Sequence, residues 1–376
     1  MTVVMVSNFL NHHQLPLCLA FQAMEDVEFT FVVTTPMEEE RVRLGYADMN
    51  HGHAFVLRAY EDERQKAEAE RRCLACDVLI IGSAPMRYAE GRTGPGKITF
   101  FYSERLFKET GFSVKTLPRI IKYALRRGLY RRGFLLCASA FAAQDYAHTG
   151  NFAGRAFKWG YFPEVLRREP DELMSKKVGD TLRLLWVGRM IGWKHPEAAI
   201  ETALRLKDEG YDFRMDMIGT GALEDGLRGQ IQKKGLTEQV CLTGAMPPEQ
   251  VRRYMEQADI FLFTSDRNEG WGAVLNEAMN SGCAVVAADE IGSAPYLVED
   301  GTNGLLFRSG DWNDLYAKVK RLADDGLLRE RLGRAAYASL AEQWNAETAA
   351  PRLIELAKAL FKDADTPFTS GPCSRA

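Results

Sequence analysis

The sequence predicts an α/β protein built from two Rossmann-like, doubly wound parallel-sheet domains that face a cleft. Three observations carry that expectation. The 376 residues exceed what one hydrophobic core usually supports, so two domains are the starting assumption. Short apolar runs alternate with amphipathic helical stretches over almost the whole length, the pattern of parallel sheets covered by helices on both faces. The alternation breaks once, at Lys158 to Asp180, which opens with the aromatic run WGYFPE and continues as a charged stretch without clear period, as a domain connection does.

Before the break, strands are predicted at Thr2 to Val6, Glu28 to Val33, Val78 to Ile81, Ile98 to Tyr102 and Phe134 to Ala138. After it they restart at Leu182 to Val187, Phe213 to Ile218, Val240 to Thr243, Ile260 to Thr264, Ala284 to Ala287 and Gly304 to Phe307, with helices such as Pro196 to Glu209 and Leu223 to Lys234 between them. The first domain is therefore placed at 1–165 and the second at 166–345. A last helical pattern runs from about Ala346 to Phe361, and the small, polar tail 363–376 is expected to be disordered. In open parallel sheets ligands sit outside the carboxyl ends of the strands, so the strand-to-helix loops are where chemistry is sought.

Composition narrows the class. With 46% hydrophobic and 26% charged residues and a net charge of -3, the chain is globular and has no overall attraction to nucleic acid or membrane, so any such preference must be local. Seven scattered cysteines do not form a disulfide pattern and fit a reducing cytoplasm. Cys73 and Cys76 form a lone C-x-x-C that reads as two thiols on a helix. Neither a signal peptide nor an apolar run long enough to span a bilayer is evident, which leads to the expectation of a cytoplasmic protein.

The most specific stretch is EGWGAVLNEAM, Glu269 to Met279, directly after the apolar run Ile260 to Thr264. From Gly272 onward the residues suit a helix ended by Gly282, which places Glu277 more than a turn in and Glu269 ahead of the start. At the helical rise the two carboxylates lie up to roughly 12 Å apart, about the span from the ribose to the hexose of a nucleotide sugar. Gly270 and Gly272 permit close backbone approach, and the free N–H groups of a helix start favour phosphate. The alternative is that Glu269 is a helix-start charge and Glu277 a solvated position. After the first strand of the second domain comes VGRMIGWK, where Arg189 and Lys194 follow Gly188. Two fixed cations there can neutralise a departing diphosphate, as a magnesium ion does elsewhere, or they belong to a solvated basic loop. The D-x-D at Asp363 and Asp365 lies in the polar tail, so no metal is expected.

The GR-x4-K loop, the GTG turn at Gly219 to Gly221, and E-x7-E followed by SGCAVVA resemble the C-terminal half of family 4 retaining glycosyltransferases of the GT-B fold, over about Leu182 to Phe307. The resemblance implies that Arg189 and Lys194 bind the diphosphate, Glu277 the ribose hydroxyls and Glu269 the transferred sugar. It further implies that the backbone of Gly270, Trp271 and Gly272 holds sugar and phosphate, that Gly244, Ala245 and Met246 border the base, and that the last helix, about 346–361, crosses back onto the first domain. The activity it implies is metal-independent, retaining transfer of a hexose or N-acetylhexosamine from a UDP-sugar, or a GDP-sugar, to a hydroxyl of a glycan or lipid-linked acceptor in polysaccharide biosynthesis, with no cofactor. Two departures stand out: His195 and Pro196 follow the lysine where the family usually has glycine, and Pro295 and Tyr296 replace its common Pro-Glu. The rival readings are a nucleotide-sugar epimerase or hydrolase, and a non-catalytic nucleotide-sugar-binding partner in a polysaccharide assembly complex.

In the first half, SNFLNHHQLP places Asn11, His12, His13 and Gln14 in a strand-end loop. They either hydrogen-bond acceptor hydroxyls or donor phosphate, or Asn11 caps a helix with the histidines exposed. Glu104, in the loop after Ile98 to Tyr102, either lies over the sugar or forms a surface salt bridge. Between Thr110 and Gln144 there is no Asp or Glu, while seven Lys and Arg from Lys115 to Arg132 interleave with Leu117, Ile120, Ile121, Leu125 and Leu129. The 115–132 stretch is either a basic amphipathic helix for an anionic membrane surface or a solvated helix face; nucleic acid is not expected as a partner.

Overall fold

In the computed structural model, which describes residues 1–37, 48–92, 94–108, 114–177 and 179–376, the apolar runs form strands buried on both faces. Val3, Val4, Met5 and Val6 are each at most 3% exposed, which only a strand covered by helices on both sides achieves. That run is β1, Thr2–Ser7, and it lies centrally in a seven-stranded parallel sheet ordered β3-β2-β1-β4-β5-β6-β7. The others are β2 (Glu28–Val33), β3 (Val56–Arg58), β4 (Val78–Ile81), β5 (Ile98–Ser103), β6 (Phe134–Cys137) and β7 (Ala156–Lys158). The register pairs Val3 with Phe29 on one side and with Val78 on the other.

A second, six-stranded parallel sheet is ordered β10-β9-β8-β11-β12-β13. Its strands are β8 (Leu182–Val187), β9 (Phe213–Ile218), β10 (Val240–Gly244), β11 (Ile260–Phe263), β12 (Ala284–Ala288) and β13 (Leu305–Phe307). In both sheets the strand order reverses beside the first strand, the plan of a doubly wound Rossmann-like domain.

The chain divides into residues 1–164 with 344–376, and residues 165–343. The charged stretch read as a connection is more ordered than its composition suggests. Lys158 ends β7, and Pro170–Ser175 is a helix whose Leu173 and Met174 are buried against Tyr337 and Ala341 in the C-terminal unit. The last helix, Ala346–Leu360, packs on the first, Leu15–Gln22, inside the N-terminal unit.

The tail corrects the sequence reading. Instead of being disordered, it runs antiparallel to edge strand β7: the Lys158 amide donates to the Ser374 carbonyl at 2.7 Å, and the Cys373 amide to the Lys158 carbonyl at 2.8 Å. Cys373 and Ser374 are buried, and Asp365 of the D-x-D is paired with Arg375 at 2.7 Å. Cys73 and Cys76 lie at the buried end of the helix Glu63–Ala75, where Arg92 donates to the Cys73 carbonyl at 2.8 Å and to Cys76 Sγ at 3.3 Å. Burial pushes both thiols up, as expected for structural cysteines.

Candidate functional site

The switch point of the second sheet lies between the adjacent parallel strands β8 and β11, where the strand order reverses. Lys194 follows β8 and Glu269 follows β11, and their side chains form an ion pair at that point, each 11% exposed. Glu269 Oε2 also accepts from the Ser265 hydroxyl at 3.0 Å. The loops are laced together beneath the pair. Trp186 Nε1 donates to Thr264 Oγ1 at 2.9 Å, Thr264 Oγ1 donates to the Lys194 carbonyl at 2.7 Å, and the Asp266 amide donates to the Trp193 carbonyl at 3.0 Å. Lys194 Nζ lies 4.7 Å from the centre of the Trp193 ring and Arg189 Cζ 5.9 Å from it, so both cations are within cation–π reach of one ring. Arg189 itself is exposed.

The glycines around this loop have specific tasks. A Cβ on Gly219, at φ +131, would stand 2.0 Å from the Gly188 carbonyl oxygen, and one on Gly221 2.4 Å from that of Met190. The GTG turn is thus a packing requirement of the loop that carries the cations, reinforced by the Met190 amide donating to the Thr220 carbonyl at 2.9 Å. The Gly219 amide donates to the Gly244 carbonyl at 2.8 Å; beyond it Ala245 is exposed and Met246 half-buried.

After Glu269, Gly270 is buried and Gly272 takes φ +87, where a Cβ would meet the Phe263 ring at 2.5 Å and Glu269 Cγ at 3.0 Å. Trp271 turns inward, 1% exposed, with Nε1 donating to Asn276 at 2.9 Å. What this stretch offers a ligand is therefore backbone. The helix begins at Val274, two residues later than the sequence predicts, because Gly272 is left-handed; Glu277 accordingly lies in its first turn. Burial holds the Glu277 carboxyl above the usual carboxylate range, with Arg252 partly offsetting it. Arg252, which the sequence reading missed, donates to the Glu277 carbonyl at 2.8 Å and to Asn280, and so ties the helix bearing Glu277 to the helix Pro248–Gln257. Only an arginine at helical spacing marked it in the sequence, and that is an ordinary surface feature.

His195 explains one departure from the family pattern. It has φ 47 and ψ 52, the left-handed conformation that glycine adopts without cost, and it precedes the helix Pro196–Asp208. Two carboxylates compensate: Nδ1 lies 3.0 Å from Glu197 Oε1 and Nε2 3.1 Å from Asp266 Oδ2. The bond to Glu197 chiefly raises the imidazole's pKa, burial opposes it, and Asp266 adds to the rise. His195 therefore clips the lysine loop to the segment that precedes Glu269.

In the N-terminal unit the polar strand-end residues gather on Tyr161, which the sequence reading left inside the connection. Tyr161 Oη donates to Glu104 Oε1 at 2.6 Å, and the His13 ring stacks parallel to it with centroids 6.0 Å apart. The His12 and His13 rings lie 3.7 Å apart. Glu104 pairs with Lys108, whereas the neighbouring Arg105 lies over the Phe141 ring at 4.4 Å. Asn11 does not cap the first helix; its Oδ1 accepts from the His13 amide at 3.0 Å and shapes the loop that carries the histidines. Among the described residues no three His, Cys, Asp or Glu side chains are grouped as metal ligands would be.

Residues 170–339 match the family of group 1 glycosyl transferases, a stretch that coincides with the C-terminal unit. The amylovoran biosynthesis glycosyltransferase AmsK of Erwinia amylovora is 34% identical over 184 residues, 48% of this chain and 45% of that one. The alpha-D-kanosaminyltransferase of Streptomyces kanamyceticus is 32% identical over 173 residues, 45% of this chain and 44% of that one. This chain thus spans about half the length of the curated relatives it matches. Among solved structures, Anabaena HepE in complex with UDP has the same fold over 94% of this chain and 99% of that one, with a TM-score of 0.70 and 16% identity. The sucrose-phosphate synthase of Thermosynechococcus elongatus does so over 97% and 100%, with a TM-score of 0.66 and 16% identity. The two-sheet architecture is that of the GT-B glycosyltransferases.

Proposed function

We propose that this chain is a metal-independent, retaining glycosyltransferase that moves a hexose or N-acetylhexosamine from a nucleotide diphosphate sugar, a UDP-sugar foremost, to a hydroxyl of a glycan or lipid-linked acceptor. The observation that carries the reading is the Lys194–Glu269 pair at the switch point, with Arg189 sharing the Trp193 ring. A cation beside a carboxylate at one strand-end crevice suits a ligand that is anionic at one end and hydroxylated at the other. When a diphosphate arrives, the ammonium of Lys194 is shared with phosphate oxygen and the Glu269 carboxylate gains capacity to accept from sugar hydroxyls. Glu277 receives the ribose hydroxyls, and the backbone of Gly270–Gly272 receives sugar and phosphate. His12, His13 and Glu104 serve the acceptor or the transferred sugar.

In the reaction an acceptor oxygen bonds to the anomeric carbon as the bond from that carbon to the diphosphate breaks. The electron pair leaves with the diphosphate, whose growing charge is met by Arg189 and Lys194. The acceptor proton passes to the departing phosphate on the same face, which retains configuration. Two fixed cations do the work of a divalent metal.

The test is a thermal-shift panel of UDP- and GDP-sugars on the full chain, followed by product analysis of whichever sugar binds, with and without chelator. Binding raises the melting temperature through linkage, and the expected product is a glycoside of unchanged anomeric configuration formed equally well in chelator. Free or isomerised sugar without an acceptor would assign a hydrolase or an epimerase. Binding without turnover on any acceptor would leave a sensor, and inversion or a metal requirement would overturn the mechanism.

A further inference from the structure

We infer that the outer face of the helix Leu117–Leu125 docks on an anionic lipid leaflet. Leu117, Ile121 and Leu125 are spaced at four residues, which puts them on one stripe of the helix, and they are 51%, 51% and 82% exposed. The remaining large hydrophobic side chains of comparable exposure among the described residues, Leu19, Leu74, Leu223, Trp312 and Leu327, lie on other elements. An apolar stripe of three on a single short helix is therefore a local feature.

The opposite side of the helix is tethered to its unit by three contacts, although none of the helix's side chains is buried. The Tyr123 ring packs edge-on to Tyr146 at 5.6 Å, the Tyr123 carbonyl accepts from Asn151 at 3.1 Å, and Arg119 donates to the Leu106 carbonyl at 2.5 Å. Exposed Lys115, Lys122, Arg131 and Arg132 flank the stripe, and no acidic residue occurs from Thr110 to Gln144 in the sequence.

Charge selects the occupant. A second copy stacked on the stripe would bring two acid-free cationic segments together, which repel. A nucleic-acid backbone would meet the cations but leave the leucines facing phosphate. An anionic leaflet satisfies both, with headgroups against the lysines and arginines and acyl chains beneath Leu117, Ile121 and Leu125, in the manner of an interfacial amphipathic helix. No helix of the described residues is long and apolar enough to cross a membrane, so this contact is an interfacial one.

The experiment is co-sedimentation of the full chain with vesicles of phosphatidylglycerol and phosphatidylcholine in equal parts, against phosphatidylcholine alone, at low and high salt. The wild-type chain is expected to pellet with the anionic vesicles at low salt and to be released as salt rises. Ile121→Asp combined with Leu125→Asp is expected to lower the partition coefficient by about tenfold or more. Leu327→Asp, at a side chain equally exposed at 82% in the C-terminal unit, is expected to leave it unchanged. Because all three side chains face outward, the variants should keep the wild-type melting temperature, which is measured alongside. No pelleting with anionic vesicles at low salt, or pelleting that the double substitution does not weaken, overturns the inference. So does a dimer, seen without vesicles, that the double substitution dissolves, since the stripe then belongs to a second copy.

Discussion

At the end of β8 a lysine meets a carboxylate across the switch to β11; at the end of β5 a carboxylate meets a tyrosine and a lysine beside a pair of histidines. Both sheets follow one winding plan, so the difference lies in the loops. Those of the C-terminal unit are set by glycines that no other residue can replace without collision, Gly219 and Gly221 against the cation loop and Gly272 against Phe263. Their ion pair is nearly buried. The N-terminal loop from Ser7 to Gln14 contains no glycine; it is shaped by side-chain hydrogen bonds, and its polar groups are half-buried. A locked cation site suits a charged ligand whose phosphates must be met at fixed distances. A softer cluster of imidazole, phenol and carboxylate suits neutral hydroxyls.

The largest effect that would break this comparison is at the lysines. Lys194→Ala should lower turnover about 100-fold or more if the site stabilises a leaving diphosphate. Lys108→Ala, which removes the half-exposed partner of Glu104, should change it by less than about tenfold, as an exposed ion pair contributes on the order of 1 kcal/mol or less. Steady-state kinetics on both variants decide it, and equal losses would mean that the two loops are not specialised. Next come the glycines. Gly219→Ala forces a Cβ to 2.0 Å from a carbonyl oxygen and should cost roughly 2–4 kcal/mol in urea unfolding, whereas Gly91→Ala in the N-terminal unit, at φ +74 with no atom within 4 Å, should cost only about 1 kcal/mol.

Tyr161→Phe removes one hydrogen bond to Glu104 and should raise the acceptor KM several-fold, an effect of about 1 kcal/mol, while donor binding by calorimetry stays unchanged. A matching loss of donor affinity would sink the division of labour. The smallest effect is a pH dependence. The folded-state pKa of His195 lies above its unfolded value of about 6.5, so its contribution to stability is complete below that pH and disappears as pH rises through the higher folded value. The melting-temperature difference between wild type and His195→Gln should therefore shrink from acidic to alkaline pH; a constant difference would remove the imidazolium from the loop's support.

The sequence made the long strands legible because a buried parallel strand must be apolar on both faces, as Val3 to Val6 and Ile260 to Phe263 are. Two edge strands were not legible: β3 and β7 have three residues each and end on Arg58 and Lys158, whereas the equally short β13, Leu305–Phe307, is apolar throughout and was read. Arg189, Lys194 and Glu269 drew attention because they follow strand ends, and Glu277 because of its spacing from Glu269 in the helix that comes next. The structure joins Lys194 to Glu269 and brings Arg189 to the same tryptophan, while Glu277 is held separately through Arg252. Tyr161 was hidden in a stretch whose composition reads as linker. The tail was misread because its order comes from pairing with β7, some 200 residues earlier in the chain, and no local pattern records that contact.

The return of residues 344–376 to the first unit has a consequence for biosynthesis. Residues 165–343 are continuous and can complete their core as soon as they leave the ribosome. The helix Leu15–Gln22, made before them, lacks this packing partner until Ala346–Leu360 emerges about 320 residues later, on the order of half a minute at ordinary elongation rates. A segment translated before the C-terminal unit thus gains its last packing partner only after that unit is made, and in that interval the side of the helix that Ala346–Leu360 covers is open to a nascent-chain chaperone.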